Sequence, residues 1–429
     1  MYKPLEYSEL IAKIYPEDSN LCKTATLQVT DECNMACTYC YQINKGKNVM
    51  SFETAKKFVD LLLESHNNYF SADNSNGIIL EFIGGEPLLQ VSLIDQVIDY
   101  FQGRVIELNH PWAEKFMVSI SSNGTLYFEP EVQEFLNKHQ QHLSLSISLD
   151  GNKELHDKCR IFPDGRPTYD LVSSAAKDWM NKGNYIGSKI TVCPENVTSL
   201  FEATKAMIEL GYEELNANCV YEEGWTIEHA KILYKQLKEI ADYILKRENR
   251  DNIYYSFFNE DWYQPMDLAD NNNWCGGNGA MIACDPQGNL YPCLRFMSSS
   301  LGESVEPLII GNVDRGIGCT ACERNCISCL KEITRTSQSE KECIDCPVAN
   351  GCAWCTAYNY QVFGTPNKRA TFICDMHRAA SLANCYFWNK LYQEQKEDKT
   401  FKMYLSKEIA LTIINEEEYN MLVQLSTNK

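Results

Sequence analysis

Between residues 24 and 225 the sequence alternates six times between a short apolar or β-branched segment and an amphipathic segment. Patterns of period two predict strands, and patterns of period 3.6 predict helices. The first strand is predicted over 24–30, the last over 213–221, and a long helix over 226–247 follows. Successive strand–helix units form parallel sheets, so the pattern predicts an α/β fold. Six units are fewer than the eight of a closed barrel, so we expect a partial (β/α)6 TIM-like barrel over 24–225.

The C-terminal third has a different composition. From residue 250 onward Asn, Asp, Gly, Cys and aromatic residues dominate, and helical periodicity is weak. A region without much apolar periodicity needs another source of order, and metal binding can supply folding free energy directly. Regular patterning returns near the end, where residues 398–425 predict one or two strands and a short helix.

The charge and the apolar pattern exclude several classes of protein. The chain has 429 residues, with 39 Lys and Arg against 58 Asp and Glu, which gives a net charge of −19. An acidic chain argues against a nucleic-acid partner held by its phosphates. Apolar runs are too short to cross a bilayer, and the first ten residues lack the features of a signal peptide. The sequence therefore predicts a cytoplasmic protein with no membrane and no nucleic-acid partner.

Cysteine is the unusual component of this composition. There are 20 cysteines, and 13 of them lie between Cys275 and Cys385. Because cytosolic proteins rarely keep disulfides, clustered cysteines in such a protein indicate metal ligands. The alternative is a secreted disulfide scaffold, which is usually shorter and carries a signal peptide.

Three cysteines directly after the first predicted strand form the most specific motif. Cys33, Cys37 and Cys40 make a C-x3-C-x2-C array within eight residues. Structural zinc sites and iron–sulfur clusters normally use four protein ligands. Three thiolates therefore suggest a metal centre with one position open for a small ligand. Two alternatives remain at this point, namely three ordinary buried thiols or a zinc ion with a distant fourth ligand.

Polar residues also follow the other predicted strands. Because the carboxyl ends of parallel strands meet at one edge of the sheet, these residues are expected near the three cysteines. They are Gly84, Gly85, Glu86 and Pro87 after the second strand, Ser122, Asn123, Gly124 and Thr125 after the third, Ser146, Ser148, Asp150, His156, Asp157 and Arg160 on or after the fourth, and Asn216 and Asn218 on the sixth.

The cysteine array with Tyr39 before its last cysteine, followed one strand later by Gly84-Gly85-Glu86-Pro87, resembles the radical S-adenosylmethionine (SAM) superfamily over residues 24–225. The resemblance implies that Cys33, Cys37 and Cys40 hold three irons of a 4Fe–4S cluster and that SAM chelates the fourth. An electron from the reduced cluster would cleave SAM, and the 5′-deoxyadenosyl radical would abstract a substrate hydrogen. A flavodoxin- or ferredoxin-type protein would donate that electron.

The resemblance also implies roles for residues at the strand ends. The residues assigned to SAM are Tyr39, Gly84, Gly85, Glu86, Ser122, Asn123, Ser148, Arg160 and Asn216. Glu86 would bind the methionyl ammonium, helped by the backbone of the glycine pair. Ser122, Asn123 and Ser148 are candidates for the ribose, Arg160 for the carboxylate and Tyr39 for the adenine. Asp150 is predicted near the substrate, as a weaker catalytic candidate.

The later cysteines resemble the SPASM domain of radical enzymes that modify peptides, which holds two auxiliary 4Fe–4S clusters. The first cluster would use Cys275, Cys293 and Cys355, with Cys284 as an optional fourth ligand. The second would use Cys343, Cys346, Cys352 and Cys374. Two residues separate Cys352 from Cys355 where the family usually has three. Structural zinc remains an alternative, since C-x2-C pairs do not identify the metal.

A further block, Cys319, Cys322, Cys326 and Cys329, exceeds what two clusters need. It predicts a compact metal site, with zinc favoured over a third cluster or redox-active pairs.

The whole chain most resembles maturases of Cys-rich ribosomal peptides, which form thioether bonds. Sulfatase-maturing relatives carry an acidic base after the YPC motif, whereas Leu294 follows it here. We therefore expect a thioether cross-link between a Cys sulfur and a carbon of a precursor peptide. The alternatives are a carbon–carbon cross-link, epimerisation, formylglycine formation, or a non-catalytic iron–sulfur redox or scaffold protein.

The predicted organisation has five parts. They are an N-terminal extension (1–23), the radical SAM partial barrel (24–225), a bridging helix and linker (226–270), a SPASM-type α+β domain (271–385) and a C-terminal segment (386–429). The extension is too short for the winged-helix module that grips leader peptides in many relatives. Leader binding is therefore expected elsewhere, by strand addition to an exposed edge or on a separate protein, and residues 398–425 are a candidate contact.

Overall fold

A computed structural model describes residues 22–427, except for 65, 68, 268, 274, 303 and 304. The predicted extension over 1–23 lies outside the described residues apart from its last two. Strands β1 (Cys22–Thr30), β2 (Gly77–Gly84), β3 (Phe116–Ser122) and β4 (Leu143–Ile147) pair in this order, and all are parallel. Their carboxyl ends therefore meet at one edge, as the alternating sequence pattern predicts.

The next two predicted strands form a second parallel sheet. Strand β5 (Gly187–Val192) pairs with β6 (Glu214–Cys219), which pairs with the short β7 (Tyr254–Tyr255). Each of the six predicted strands is thus present. The prediction of an α/β fold with a parallel core is confirmed.

Helices connect and cover the strands. They are α1 (Phe52–Glu64), α2 (Val91–Glu107), α3 (Pro130–His139), α4 (Lys153–Cys159), α5 (Tyr169–Asn181), α6 (Leu200–Leu210), α7 (Ile227–Leu245), α8 (Ala321–Glu332), α9 (Arg335–Gln338), α10 (Lys341–Ile344), α11 (Thr356–Phe363), α12 (Cys374–Gln395), α13 (Lys407–Ile413) and α14 (Glu416–Thr427). In the described ranges no helix is long and apolar enough to cross a membrane.

The cysteine-rich region extends the first sheet instead of forming a separate one. Strand β8 (Met281–Cys284) pairs in parallel with the free edge of β1, so that Thr26 lies opposite Ala283. Strands β9 (Asn289–Tyr291), β10 (Gly311–Asn312) and β11 (Gly316–Ile317) then continue it by antiparallel pairing. This pairing places the start of the cysteine-rich region beside the strand that leads into the loop of Cys33. The bounds of the five predicted parts remain predictions.

The prediction of strands within 398–425 is wrong, because this segment forms α13 and α14. Its β-branched residues are compatible with strands, but local capping favours helices. The Ser406 hydroxyl accepts a hydrogen bond from Ile409 N (3.4 Å), and the Asn415 side chain accepts one from Glu418 N (2.8 Å). Lys238 on α7 donates to Glu418 (2.7 Å), which holds α14 against the long helix. Segment 398–425 therefore offers no strand for the addition of a leader peptide.

Candidate active site

The loop that carries Cys33, Cys37 and Cys40 is fixed by backbone hydrogen bonds on both sides. Ala36 N donates to Ile161 O (2.8 Å), and Glu86 N donates to Glu32 O (2.8 Å). A Cβ atom at Gly85 would lie 2.2 Å from Glu32 O. Glycine is therefore required where the turn after β2 approaches the cysteine loop. The structure thus brings the two sequence motifs into direct contact.

The Glu86 carboxylate is buried at the centre of this edge. It accepts hydrogen bonds from Leu88 N (3.0 Å), from Ser122 Oγ (2.7 Å) and from Asn123 N (2.7 Å). Burial raises the pKa of Glu86 to about 7, although the three hydrogen bonds favour the ionised form. A cationic partner at this position would restore its charge.

Asn34 and Thr125, which had no predicted role, connect the cysteine loop to the segment after β3. The Asn123 amide donates to Asn34 Oδ1 (2.8 Å) and lies 4.0 Å from Cys33 Sγ, while Asn34 donates to Thr125 Oγ1 (2.8 Å). Asn34 lies inside the cysteine array, which is the one signal that could have identified it. Ser148 N donates to Ser122 O (2.9 Å), which places the predicted ribose candidates side by side.

Asp150, Tyr39 and Arg160 form a charged cluster behind the loop. Arg160 Nε lies 2.9 Å from Asp150 Oδ2, and the Tyr39 hydroxyl donates to the same oxygen. The guanidinium carbon lies 5.3 Å from the Tyr39 ring centre. Burial lowers the pKa of Arg160, but Asp150 and Tyr39 outweigh it and the net shift is upward. Asp150 is thus engaged with a cation and a phenol, and its catalytic role stays a prediction.

Among the described residues, Asn216 shares no hydrogen bond with Asp150, Tyr39 or Arg160. Its amide donates to Glu214 Oε1 (2.6 Å) on the same strand, and it lines a cavity between the two sheets. Its predicted contact with SAM stays a prediction.

The first group of later cysteines contains Cys275, Cys293 and Cys355. Burial, and then the thiols of Cys275 and Cys355, raise the pKa of Cys293. Cys355 Sγ accepts a hydrogen bond from Tyr358 N (3.4 Å) at the start of α11. Cys284 is fully buried on β8, and its thiol donates to Asp285 O (3.5 Å). The structure brings three thiols together and directs the fourth predicted ligand toward Asp285.

Arg295, which sequence reasoning missed, joins this group to the first loop. Its Nη2 lies 3.2 Å from Glu222 Oε1, and its guanidinium carbon lies 5.6 Å from the ring centre of Tyr41, the residue after Cys40. Burial lowers its pKa, but the neighbouring Cys355 and Glu222 raise it above the ordinary value. The space between the two sets of thiols is therefore lined by charged and aromatic side chains.

The second group surrounds a cavity of about 270 Å³. Its wall includes all four predicted ligands, Cys343, Cys346, Cys352 and Cys374. Arg369 donates to Cys352 O (2.7 Å) and so holds one wall of the cavity. Cys352 therefore belongs to this group and Cys355 to the first, even though only two residues separate them. Four thiols around one cavity fit an iron–sulfur cluster.

The Cys352→Ala protein is expected to lose about one third of its iron, because one of three four-iron sites is broken. Amide hydrogen exchange over residues 340–374 is expected to accelerate, since metal binding supplies folding free energy there. Iron analysis and exchange mass spectrometry measure both effects. Cys193→Ala is the control and should change neither, and an unchanged iron content in the Cys352 variant would contradict the assignment.

The block from Cys319 to Cys329 lies on and before α8. Cys322, Cys326 and Cys329 share one helix face, and Cys322 and Cys329 are exposed. The helix rises about 10.5 Å between positions seven residues apart, whereas zinc holds each thiolate at about 2.3 Å. One zinc ion therefore cannot bind both Cys322 and Cys329 on the intact helix. The predicted metal site here stays a prediction, limited to a subset of the thiols.

Comparisons with known proteins agree with this geometry. The family model described as a 4Fe-4S single cluster domain matches residues 24–160. An uncharacterised protein of Methanocaldococcus jannaschii is 29% identical over 253 residues, which cover 55% of this chain and 79% of that protein. The antilisterial bacteriocin subtilosin biosynthesis protein AlbA of Bacillus subtilis is 24% identical over 280 residues, or 63% of this chain and 55% of AlbA.

A solved structure of native anSMEcpe with bound AdoMet and the Kp18Cys peptide has the same fold. The TM-score is 0.63 at 18% identity, and the match covers 87% of this chain and 99% of that chain. Fold and site thus resemble those of radical SAM enzymes with a SPASM domain. The three thiols of the first loop and the buried Glu86 carboxylate fit the 4Fe–4S cluster and the SAM that this resemblance implies, and the later thiols fit auxiliary clusters.

Proposed function

We propose that this enzyme joins a cysteine sulfur of a ribosomally made precursor peptide to a carbon of another residue. The observation that carries the proposal is the group of Cys275, Cys293 and Cys355, from which Cys284 is directed away. Three protein thiols leave one position for a thiolate from the substrate. The similarity to AlbA, a subtilosin biosynthesis protein, supports a peptide substrate.

The residues at the strand edge hold and orient the reactants. When bound, SAM and the cluster supply a carbon radical that can abstract a hydrogen atom from the substrate. Glu86 offers a buried carboxylate to an ammonium, and Ser122 and Asn123 fix its orientation. Arg295 and Tyr41 line the path between the first loop and the Cys275 group, which suits a sulfur that must approach a carbon radical.

The test is anaerobic reconstitution of the full chain with dithionite and a Cys-containing precursor peptide. We expect 5′-deoxyadenosine and a peptide that is lighter by two hydrogens per cross-link, with its cysteine no longer alkylated by iodoacetamide. The same mass loss with a fully alkylated cysteine would indicate a carbon–carbon cross-link. An unchanged mass together with 5′-deoxyadenosine formation and a D-residue in the hydrolysed peptide would indicate epimerisation, and either result would contradict the thioether.

A further inference from the structure

One row of the first sheet places a carboxylate on a face that is otherwise lined by hydroxyl groups. Thr26, Glu81, Ser119 and Ser144 lie in register across β1 to β4. Alternate side chains of a strand point to opposite faces. The residues on either side of Glu81, Leu80 and Phe82, are fully buried in the hydrophobic core. The row of Glu81 therefore faces the inner, polar side of the partial barrel.

A cavity of about 500 Å³ opens on this inner side. Ser144 and Ser146 from β4 line one wall, and Lys189 and Asn216 from the second sheet line the other. Small-molecule sites in proteins commonly have volumes of about 300–1,000 Å³. The cavity is therefore large enough for one or two side chains of a peptide.

Glu81 is held by one hydrogen bond and retains a free oxygen. Thr26 Oγ1 donates to Glu81 Oε2 (2.6 Å), and no donor in the described part of the chain bonds to Oε1. Lys189, from the opposite wall, interacts with this carboxylate, and burial raises the pKa of Glu81. Burial raises the pKa of the Tyr41 phenol, and the Glu81 carboxylate raises it further. Lys189 and Tyr41 are the titratable groups that the described residues direct toward it.

Asp150, the acid expected near the substrate, is less available than Glu81. Its Oδ2 accepts hydrogen bonds from both Arg160 and Tyr39. Both partners therefore occupy the oxygen through which Asp150 would contact a substrate. Leu294 occupies the position after the YPC motif, so that position supplies no base either.

We propose that Glu81 accepts the proton of the substrate cysteine thiol on the inner face of the first sheet, in the row whose Ser144 lines the cavity. The S–H bond breaks and an O–H bond forms at Oε1, so that the sulfur gains the negative charge and the carboxylate becomes neutral. No electron moves in this step. The inference rests on the proposed thioether function and adds to it the group that generates the nucleophile.

The test compares Glu81→Gln with the wild-type enzyme on a Cys-containing precursor peptide, in full reconstituted chains. Because general bases contribute 10²–10⁴-fold, we expect cross-linking to fall about 100-fold while the rate of 5′-deoxyadenosine formation changes by less than about threefold. The rate of the variant should also rise about tenfold per pH unit toward pH 8.5, as free thiols ionise in solution. The wild type should not show this rise.

Two further variants separate catalysis from structure. Ser119→Ala alters the same row without removing an acid, and it should keep the wild-type ratio of cross-link to 5′-deoxyadenosine. Glu81→Asp keeps the carboxylate and should form more cross-link per 5′-deoxyadenosine than Glu81→Gln. An unchanged ratio in Glu81→Gln, or equal loss of iron and activity in both Glu81 variants, would overturn the inference. If the wild type cleaves SAM but cross-links no cysteine peptide, the proposed function itself fails, and with it this role.

Discussion

Replacing Cys37 by alanine is expected to abolish SAM cleavage while about two thirds of the iron stays bound. The three thiols of the first loop are the predicted ligands of one four-iron cluster, and two are not enough to keep it. The later thiols lie between Cys275 and Cys374, in segments that do not contain Cys37. Iron analysis and 5′-deoxyadenosine formation under dithionite measure the two quantities.

Cys22→Ala is the matched control for this variant, because Cys22 starts the strand that leads into the first loop and its thiol donates to the adjacent Lys23 O (3.9 Å). It should retain full iron and full SAM cleavage. A Cys37 variant that still forms 5′-deoxyadenosine at more than about 1% of the wild-type rate would contradict the ligand assignment.

Glu86→Gln is expected to weaken SAM binding about 100-fold, since hydrogen bonds to charged groups contribute about 1.5–3 kcal/mol. The amide nitrogen of the glutamine would face either Asn123 N or the pair of Leu88 N and Ser122 Oγ, so at least one backbone N–H loses its acceptor. A buried donor without a partner costs about 1–3 kcal/mol of unfolding free energy. Equilibrium dialysis with SAM and urea unfolding check the two effects, and Glu53→Gln on the exposed start of α1 is the control.

The pH dependence of SAM binding follows from the same carboxylate. Its pKa is raised from 4.5 to about 7 in the folded protein, so the folded state holds this proton more tightly than the unfolded state. The resulting stabilisation is present below pH 4.5 and is lost as the pH rises through about 7. An ammonium needs the ionised form, so SAM affinity should fall about tenfold per pH unit below pH 7. If SAM affinity falls with pH as steeply in Glu86→Gln as in the wild type, the assignment to Glu86 is contradicted.

Much of the fold could be read from local patterns. The six strands and their helices follow from hydrophobic periodicity, which each segment carries by itself. The contrast is segment 398–425, whose apolar and β-branched residues fit both helix and strand. There the side chains of Ser406 and Asn415 cap two helices, and packing of α14 on α7 decides the conformation.

The candidate site was less predictable than the fold. Glu86 and the cysteines are identified by spacing, but Arg295 and Glu81 have no motif. A glutamate within the apolar run of β2 is the only local signal for Glu81, and its meaning depends on the face that strand pairing assigns to it. Asp150 was expected near the substrate, and only the fold shows that Arg160 and Tyr39 occupy its carboxylate.

The sequence by itself determined the order of strands and helices and the three-cysteine loop, because these features depend on spacing along the chain. The division of the later cysteines into two groups came from the resemblance to the SPASM domain. The tertiary structure alone decided that β8 pairs with β1, which carries the Cys275 group to the side of the first loop. It also put Glu81 in one row with Thr26, Ser119 and Ser144 across the first sheet. Pairing between distant segments sets these positions, and no local pattern encodes it.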